Sequence, residues 1–308
     1  MPDLTSIITP ALLNEIFLAM MPWTRNQEIS YSEISNISLP NAQICFPALK
    51  ALAEVPGGLD AALKIDLVTE VLPPVDDVEF PIQAAGLILL LDQGARGSIR
   101  KNADPRYTFA YFLPLAQKLV RQLFEVPKEQ NVFYAHRWID VLGFSVVHFT
   151  FMWSYMVTPL LHSENTIDQL AQFSLHRDMR AWLKARTNRS DPFAERLEEL
   201  RHDATALHTV LEEGPPPANE LLPGLDRYPD AIDFIFWVFL IDDLHLPITE
   251  AFGHFPNLNS IMGRDNTNDE IVHLTKTDEL NKKPRAEVIA RIREDVLANR
   301  WTVFGAEI

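Results

Sequence analysis

Three short polar islands hold the residues able to do chemistry. Leu90-Leu91-Asp92-Gln93 ends the apolar run 84–91. His162-Ser163-Glu164 is followed by Asp168-Gln169. Asp242-Asp243-x-His245 leads into Phe252-Gly253-His254-Phe255-Pro256-Asn257-Leu258-Asn259 and then Gly263-Arg264-x-Asn266-Thr267. Carboxylates and imidazoles set in or beside apolar helices are costly unless paired or hydrogen-bonded. Three such islands meeting at one place would make a buried site for proton transfer or for holding a cation. His162 and Glu164 are the candidate bases, and Ser163 a candidate nucleophile. Neighbours on a helix point in different directions, so this triplet is not a triad by itself. Its structural reading is a helix start, with Ser163 as cap and Glu164 in the first turn. Asp168 is four residues beyond Glu164. On one helix face the two acids repel, which calls for a cation from Arg96, Arg100, Arg264 or a basic ligand. Arg96, four residues after Asp92, is that acid's natural partner. The amides of Asn257, Asn259 and Asn266 serve either the backbone of the turn or a ligand.

The elements that must position these islands read as helices throughout. Apolar residues recur at spacings of three and four, and no alternating strand runs longer than a few residues. Thr9 is the predicted cap of a first helix with Pro10 at its first position. Short helices are expected over 48–52 and 59–71, and a buried one over 82–91. An amphipathic helix is expected over 105–124, kinked or split at Pro114. Helical pattern then runs over 128–151 and on to a break at Pro159. Helices follow over 165–186, 191–213 (charged and solvent-facing), 229–246, 267–275 and 284–299. Helices in sequential pairs predict an all-α, tetratricopeptide-like superhelix of helix pairs, forming a single compact domain over 1–308.

Composition narrows the classes. The 308-residue chain has a formal charge of −15 and 47% hydrophobic residues. That charge disfavours nucleic-acid binding by the whole surface, and no DNA partner is expected. A local basic face remains, with Arg177, Arg180, Lys184, Arg186 and Arg189 against Asp178. A second basic cluster is Lys282-Lys283-x-Arg285, followed by Arg291 and Arg293. The single cysteine, Cys45, excludes an intrachain disulfide and a cysteine-based zinc site, and fits a reducing compartment. The first twenty residues lack a basic leader segment. The apolar stretch 144–161 is interrupted by His148, Ser154 and Pro159. The expectation is a cytoplasmic protein with no membrane partner, metal or cofactor.

In this order the islands resemble domain-of-unknown-function family 924. The residues carrying the likeness are Leu90, Leu91, Asp92 and Gln93; His162, Ser163, Glu164, Asp168 and Gln169; then His245, Phe252, Gly253, Phe255, Pro256, Asn259, Gly263, Arg264 and Thr267. The resemblance spans about 80–275, leaving 1–79 as an N-terminal helical extension, and implies a tetratricopeptide-like helical fold. The chain departs from the family pattern at Gly94-Ala95-Arg96-Gly97, at His254 and at Asn257-Leu258, and across these departures basic groups are lost from the expected pocket. The expected pocket is therefore acidic and short of cations, suited to a guanidinium. That change resembles fungal arginine-containing cyclodipeptide synthases, enzymes of secondary metabolism. The resemblance implies an aminoacyl-tRNA-dependent transferase forming an arginine-containing diketopiperazine from arginyl-tRNA and a second charged tRNA. Implied roles are His162, Ser163 and Glu164 in catalysis. Asp92, Gln93, Asp168, Gln169, Asp242, Asp243, His245, Asn259 and Arg264 would line the substrate site. Arg177, Arg180, Lys184, Arg186 and Arg189 would meet tRNA phosphates. The competing expectation is a non-catalytic helical scaffold or binding protein whose islands are structural.

Overall fold

The computed structural model describes residues 4–37, 42–98, 104–222, 224–279 and 284–306. Arg100, Lys282 and Lys283, named above, lie outside the described residues. The described chain is all-helical and contains no strand. It packs as two units. One comprises Met1–Gln27, Ser38–Pro159 and Ala290–Ile308, and the other Glu28–Ile37 and Leu160–Ile289. No helix among the described residues is long and apolar enough to cross a membrane.

Local rules explain many of the helix ends. Thr9 caps Pro10–Met20 through its hydroxyl, which accepts from the Leu12 amide at 3.2 Å. The expected 59–71 helix is two, Gly58–Ala62 and Leu67–Val71, because Asp66 caps the second by accepting from the Val68 and Thr69 amides. Pro114 does not break its segment: the π-helical stretch Tyr107–Phe112 runs directly into Leu113–Phe124, with Phe112 and Leu113 both in the right-handed helical region, and the wider turns lie just ahead of the residue that lacks an amide donor. The helical pattern over 128–151 is realised only in part, as the π-helical Arg137–Val141 and as the start of Val146–Leu161, with non-helical chain before and between them. Asn131 donates its amide to the carbonyls of Leu123, Phe124 and Val126, closing off the preceding helix. Gly143 then takes φ 74°, and the next α-helix is Val146–Leu161, which carries Pro159 inside its last turn. The charged stretch 191–213 also divides, into Ala194–Leu200 and Ala206–Glu213, where Asp203 accepts from the Thr205 amide at 2.8 Å.

In the first unit, Pro10–Met20 lies against Phe80–Leu89. Every residue of the second helix is buried. The fully buried His148 is caged by Phe144, Trp23 and Phe17, with ring centroids 4.6, 5.7 and 6.3 Å away. Burial pushes its pKa down to about 4, against the opposing backbone of Thr24 and Arg25. The folded chain thus keeps this imidazole neutral, whereas the unfolded chain protonates it near pH 6.5. The contribution is complete above pH 6.5 and is lost as pH falls towards 4, an effect of about 3 kcal/mol. His148→Phe is expected to flatten that part of the stability–pH curve. Urea unfolding of both proteins at pH 7.5, 6, 5 and 4.5 checks this, and parallel curves would refute it.

Candidate functional site

The second and third islands come together in the second unit. The helix Thr166–Thr187 is the spine. Its buried row runs Asp168, Gln169, Gln172, His176, Met179 and Leu183, at helical spacing, so the upper half of the buried stripe is polar. Asn165, not Ser163, caps it, accepting from the Ile167 amide at 3.0 Å. Ser163 and Glu164 therefore precede the helix, and Glu164 does not share a helical face with Asp168. The two acids point to different partners. Ser163 donates its hydroxyl to Asp168 Oδ2 at 2.7 Å. Glu164 takes a two-pronged grip from Arg264 at 2.7 and 2.8 Å, and also accepts from the Phe255 amide at 3.1 Å.

Two further helices face this spine. Ala231–Asp243 is capped by Asp230 in a reciprocal box with Asp233, and is apolar from Phe234 to Ile241. Its last turn delivers Asp242 and Asp243 to His176. The His176 Nδ1 is 2.9 Å from Asp243 Oδ1, and its Nε2 is 3.7 Å from Asp242 Oδ2. Burial holds the His176 pKa below its ordinary value despite the pull of Asp243, and Arg180 adds to the depression. Arg180 bridges Asp243 (2.6 Å) and Asp191 (2.7 Å). From Leu246–Phe252, Thr249 donates to Gln169 Oε1 at 2.8 Å. The Gln169 amide nitrogen in turn holds the carbonyls of Ser163 (2.7 Å) and Leu161 (3.2 Å). Gln169 thus fixes the loop that presents Ser163.

His245 follows the end of Ala231–Asp243. Its Nδ1 lies 3.0 Å from the Ile241 carbonyl and 3.2 Å from that of Asp242. Both are acceptors, so Nδ1 carries the proton and Nε2 is the basic nitrogen. The His162 and His245 rings meet edge to face at 6.2 Å, and the Phe255 and His245 rings do so at 5.9 Å. Both imidazoles keep partial solvent exposure. Asn259 donates to Asn266 Oδ1 at 2.9 Å, which ties the amide-rich turn together.

The expected shortage of cations is overturned. Glu164 has Arg264, and Asp243 has Arg180 and His176. Asp92 belongs to the first unit, in the π-helical turn Leu90–Gly94, where Arg96 meets it at 3.3 Å and Gln93 at 2.8 Å. Of the two adjacent aspartates, Asp243 is wholly enclosed, while the Asp242 side chain retains 12% exposure. The basic face also shrinks. Arg180 is spent on Asp243 and Asp191, and Arg189 on Asp230 and Asp233. Arg177, Lys184 and Arg186 are exposed, with Arg177 beside Asp178. In the other basic cluster, Arg291 pairs with Asp295 at 3.1 Å.

Sequence reasoning missed His176, Gln172 and Thr249. His176 stands eight residues after Asp168 and four after Gln172, the spacing of one helix face, and that polar row was the available signal. Among the described residues, no group of three or more His, Cys, Asp or Glu side chains is arranged to hold a metal.

Fold and site together define an all-helical protein whose second unit holds a buried polar network and a pair of half-buried imidazoles. Residues 73–278 match the family described as bacterial protein of unknown function, DUF924. The chain belongs to that family, and the matched segment contains all three islands. Comparison with curated proteins and with solved structures gives no match.

Proposed function

We propose that this chain is an aminoacyl-tRNA-dependent transferase that joins arginine to a second amino acid as a cyclic dipeptide. The observation that carries the reading is the Ser163–Asp168 hydrogen bond of 2.7 Å in the same unit as the His162–His245 ring pair. Ser163 attacks the arginyl ester carbonyl. The Ser163 Oγ–acyl bond forms, the ester bond to tRNA breaks, and the hydroxyl proton passes to Asp168 while the tRNA oxygen takes one from an imidazole. The amine of the second aminoacyl-tRNA then displaces Ser163. The arginine amine closes the ring on the remaining ester and releases the second tRNA. The substrates arrive activated, so positioning and proton removal are the chain's contribution. His245, with its tautomer fixed by two carbonyls, and His162 handle those protons. Glu164 serves as a strut, because Arg264 and the Phe255 amide occupy its oxygens. Asp242 offers its exposed edge to the guanidinium, and Arg177, Lys184 and Arg186 face tRNA phosphate.

Purified protein, arginyl-tRNA and a panel of second charged tRNAs are expected to yield an arginine-containing diketopiperazine by mass spectrometry. Arginyl-tRNA alone should leave one arginyl group on the protein, absent in Ser163→Ala. Asp242→Asn should keep the fold and lower turnover about a hundredfold, the scale of losing a charge-assisted hydrogen-bond pair. A second reading, a non-catalytic scaffold, is favoured by the neutralisation of Glu164 and Asp243 by their own arginines. No diketopiperazine with any charged tRNA would decide for it.

A further inference from the structure

One segment of the first unit plays no part in the chemistry above. Residues 301–306 follow the helix Ala286–Leu297 by way of Asn299, whose φ of 48° turns the chain. They form no helix or strand. Among the described residues their one backbone–backbone bond is internal, from the Ala306 amide to the Val303 carbonyl at 2.9 Å. A wall of side chains holds the segment instead. The Tyr107 hydroxyl donates to the Thr302 carbonyl at 2.8 Å, and the Arg106 guanidinium donates to the Arg300 carbonyl at 3.2 Å. The Trp301 ring lies 4.9 Å from that of Tyr107 and 5.6 Å from that of Tyr111, with the Arg106 guanidinium 4.8 Å from its centroid. The Phe304 ring meets Tyr107 at 5.0 Å, Phe46 at 5.2 Å and Phe112 at 5.4 Å.

The wall has a local cause. Tyr107–Phe112 is π-helical, and i→i+5 bonding sets residues four and five apart on either side of one line. Tyr107 therefore meets both Tyr111, at 5.5 Å, and Phe112, at 5.9 Å. Such turns are frequent at functional sites. Contacts of this kind are how a groove recognises an extended peptide: main-chain hydrogen bonds supply affinity, and pockets for particular side chains supply specificity. Gly305 adds to the pattern. Its φ is 80°, and a Cβ there would stand 2.7 Å from two ring atoms of Phe46. We propose that the groove built by Phe46 and residues 106–112 is an interaction site for an extended partner segment of the form Trp-x-x-Phe-Gly, and that residues 301–306 occupy it as a competing clasp.

The test uses the full chain and a fluorescent peptide with the sequence of residues 299–306. Trp301→Ala combined with Phe304→Ala weakens the clasp and leaves the groove intact, so this variant is expected to bind the peptide saturably at one site. The natural chain should bind it at least about tenfold more weakly, because an attached segment competes at an effective concentration on the order of millimolar. A peptide with alanine in place of its tryptophan should bind the variant at least about tenfold more weakly than the natural peptide does. Should the variant not fold, the natural chain carries the test. A peptide with a benzophenone at its phenylalanine position should then cross-link, on illumination, to Phe46 or to residues 104–112, and excess unmodified peptide should suppress the adduct. Absence of saturable binding by the folded variant would overturn the proposal, as would equal affinity of the variant and the natural chain. So would indifference to loss of the peptide's tryptophan, or adducts confined to other residues.

Discussion

Arg180→Met is expected to lower the unfolding free energy by about 3–5 kcal/mol, the range for removing one partner of a buried ion pair. Arg180 joins two carboxylates that have little water. The Asp243 side chain is fully enclosed, and Asp191 is 6% exposed. Without the guanidinium, Asp243 keeps His176, whose imidazole is itself held towards the neutral form by burial. Asp191 keeps the Phe193 amide at 2.7 Å. Methionine replaces the stem of arginine and preserves contact with Phe239, over which the guanidinium sits at 5.4 Å. The loss is therefore electrostatic, and pairing Arg180→Met with Asp243→Asn should recover part of it, giving a coupling of about 1–3 kcal/mol. Urea midpoints at constant slope check both statements. A cost below about 1 kcal/mol for Arg180→Met would mean that the network is already hydrated.

Gly86→Ala is expected to cost about 3 kcal/mol or more, although alanine is the better helix former by about 1 kcal/mol. Gly86 lies inside Phe80–Leu89, where a Cβ would stand 2.3 Å from the Leu13 carbonyl oxygen and 2.9 Å from its carbon. Both obstacles are backbone, so no rotamer change relieves them; the two helices must separate. Separation would loosen a wall of wholly buried residues including Leu13, Ile16, Phe80, Ala84 and Leu87. Gly143→Ala is the matched control. Its φ of 74° penalises a side chain by about 1–2 kcal/mol, but nothing stands within 4 Å of the added carbon. Thermal unfolding should rank Gly86→Ala well below Gly143→Ala, and the reverse order would show that the helices can yield.

Much of the scaffold was legible because local chemistry fixed it. Thr9 with Pro10 announced a helix start, since a proline at the first position gives up only an amide that has no partner within the helix. Residues 128–134 and 142–145 were misread because their apolar spacing suits a helix. Asn131, taking three carbonyls from the preceding helix, and Gly143, turning the chain, together outweighed that pattern. Ser163 was read as a cap and Glu164 as a first-turn residue. One serine and one asparagine within three positions are equally good caps by type, and the long-range grip of Arg264 on Glu164 accompanies a start at Asn165.

By itself, the sequence determined that the chain is helical, that it carries the islands of its family, and which side chains are able to move a proton. Those follow from residue type and from spacing along the chain. Only the tertiary structure decided which charges are spent. The partner of Glu164 lies 100 residues away and that of His176 lies 67 away. An ion pair depends on distance and burial in space, neither of which is written in the spacing along the chain.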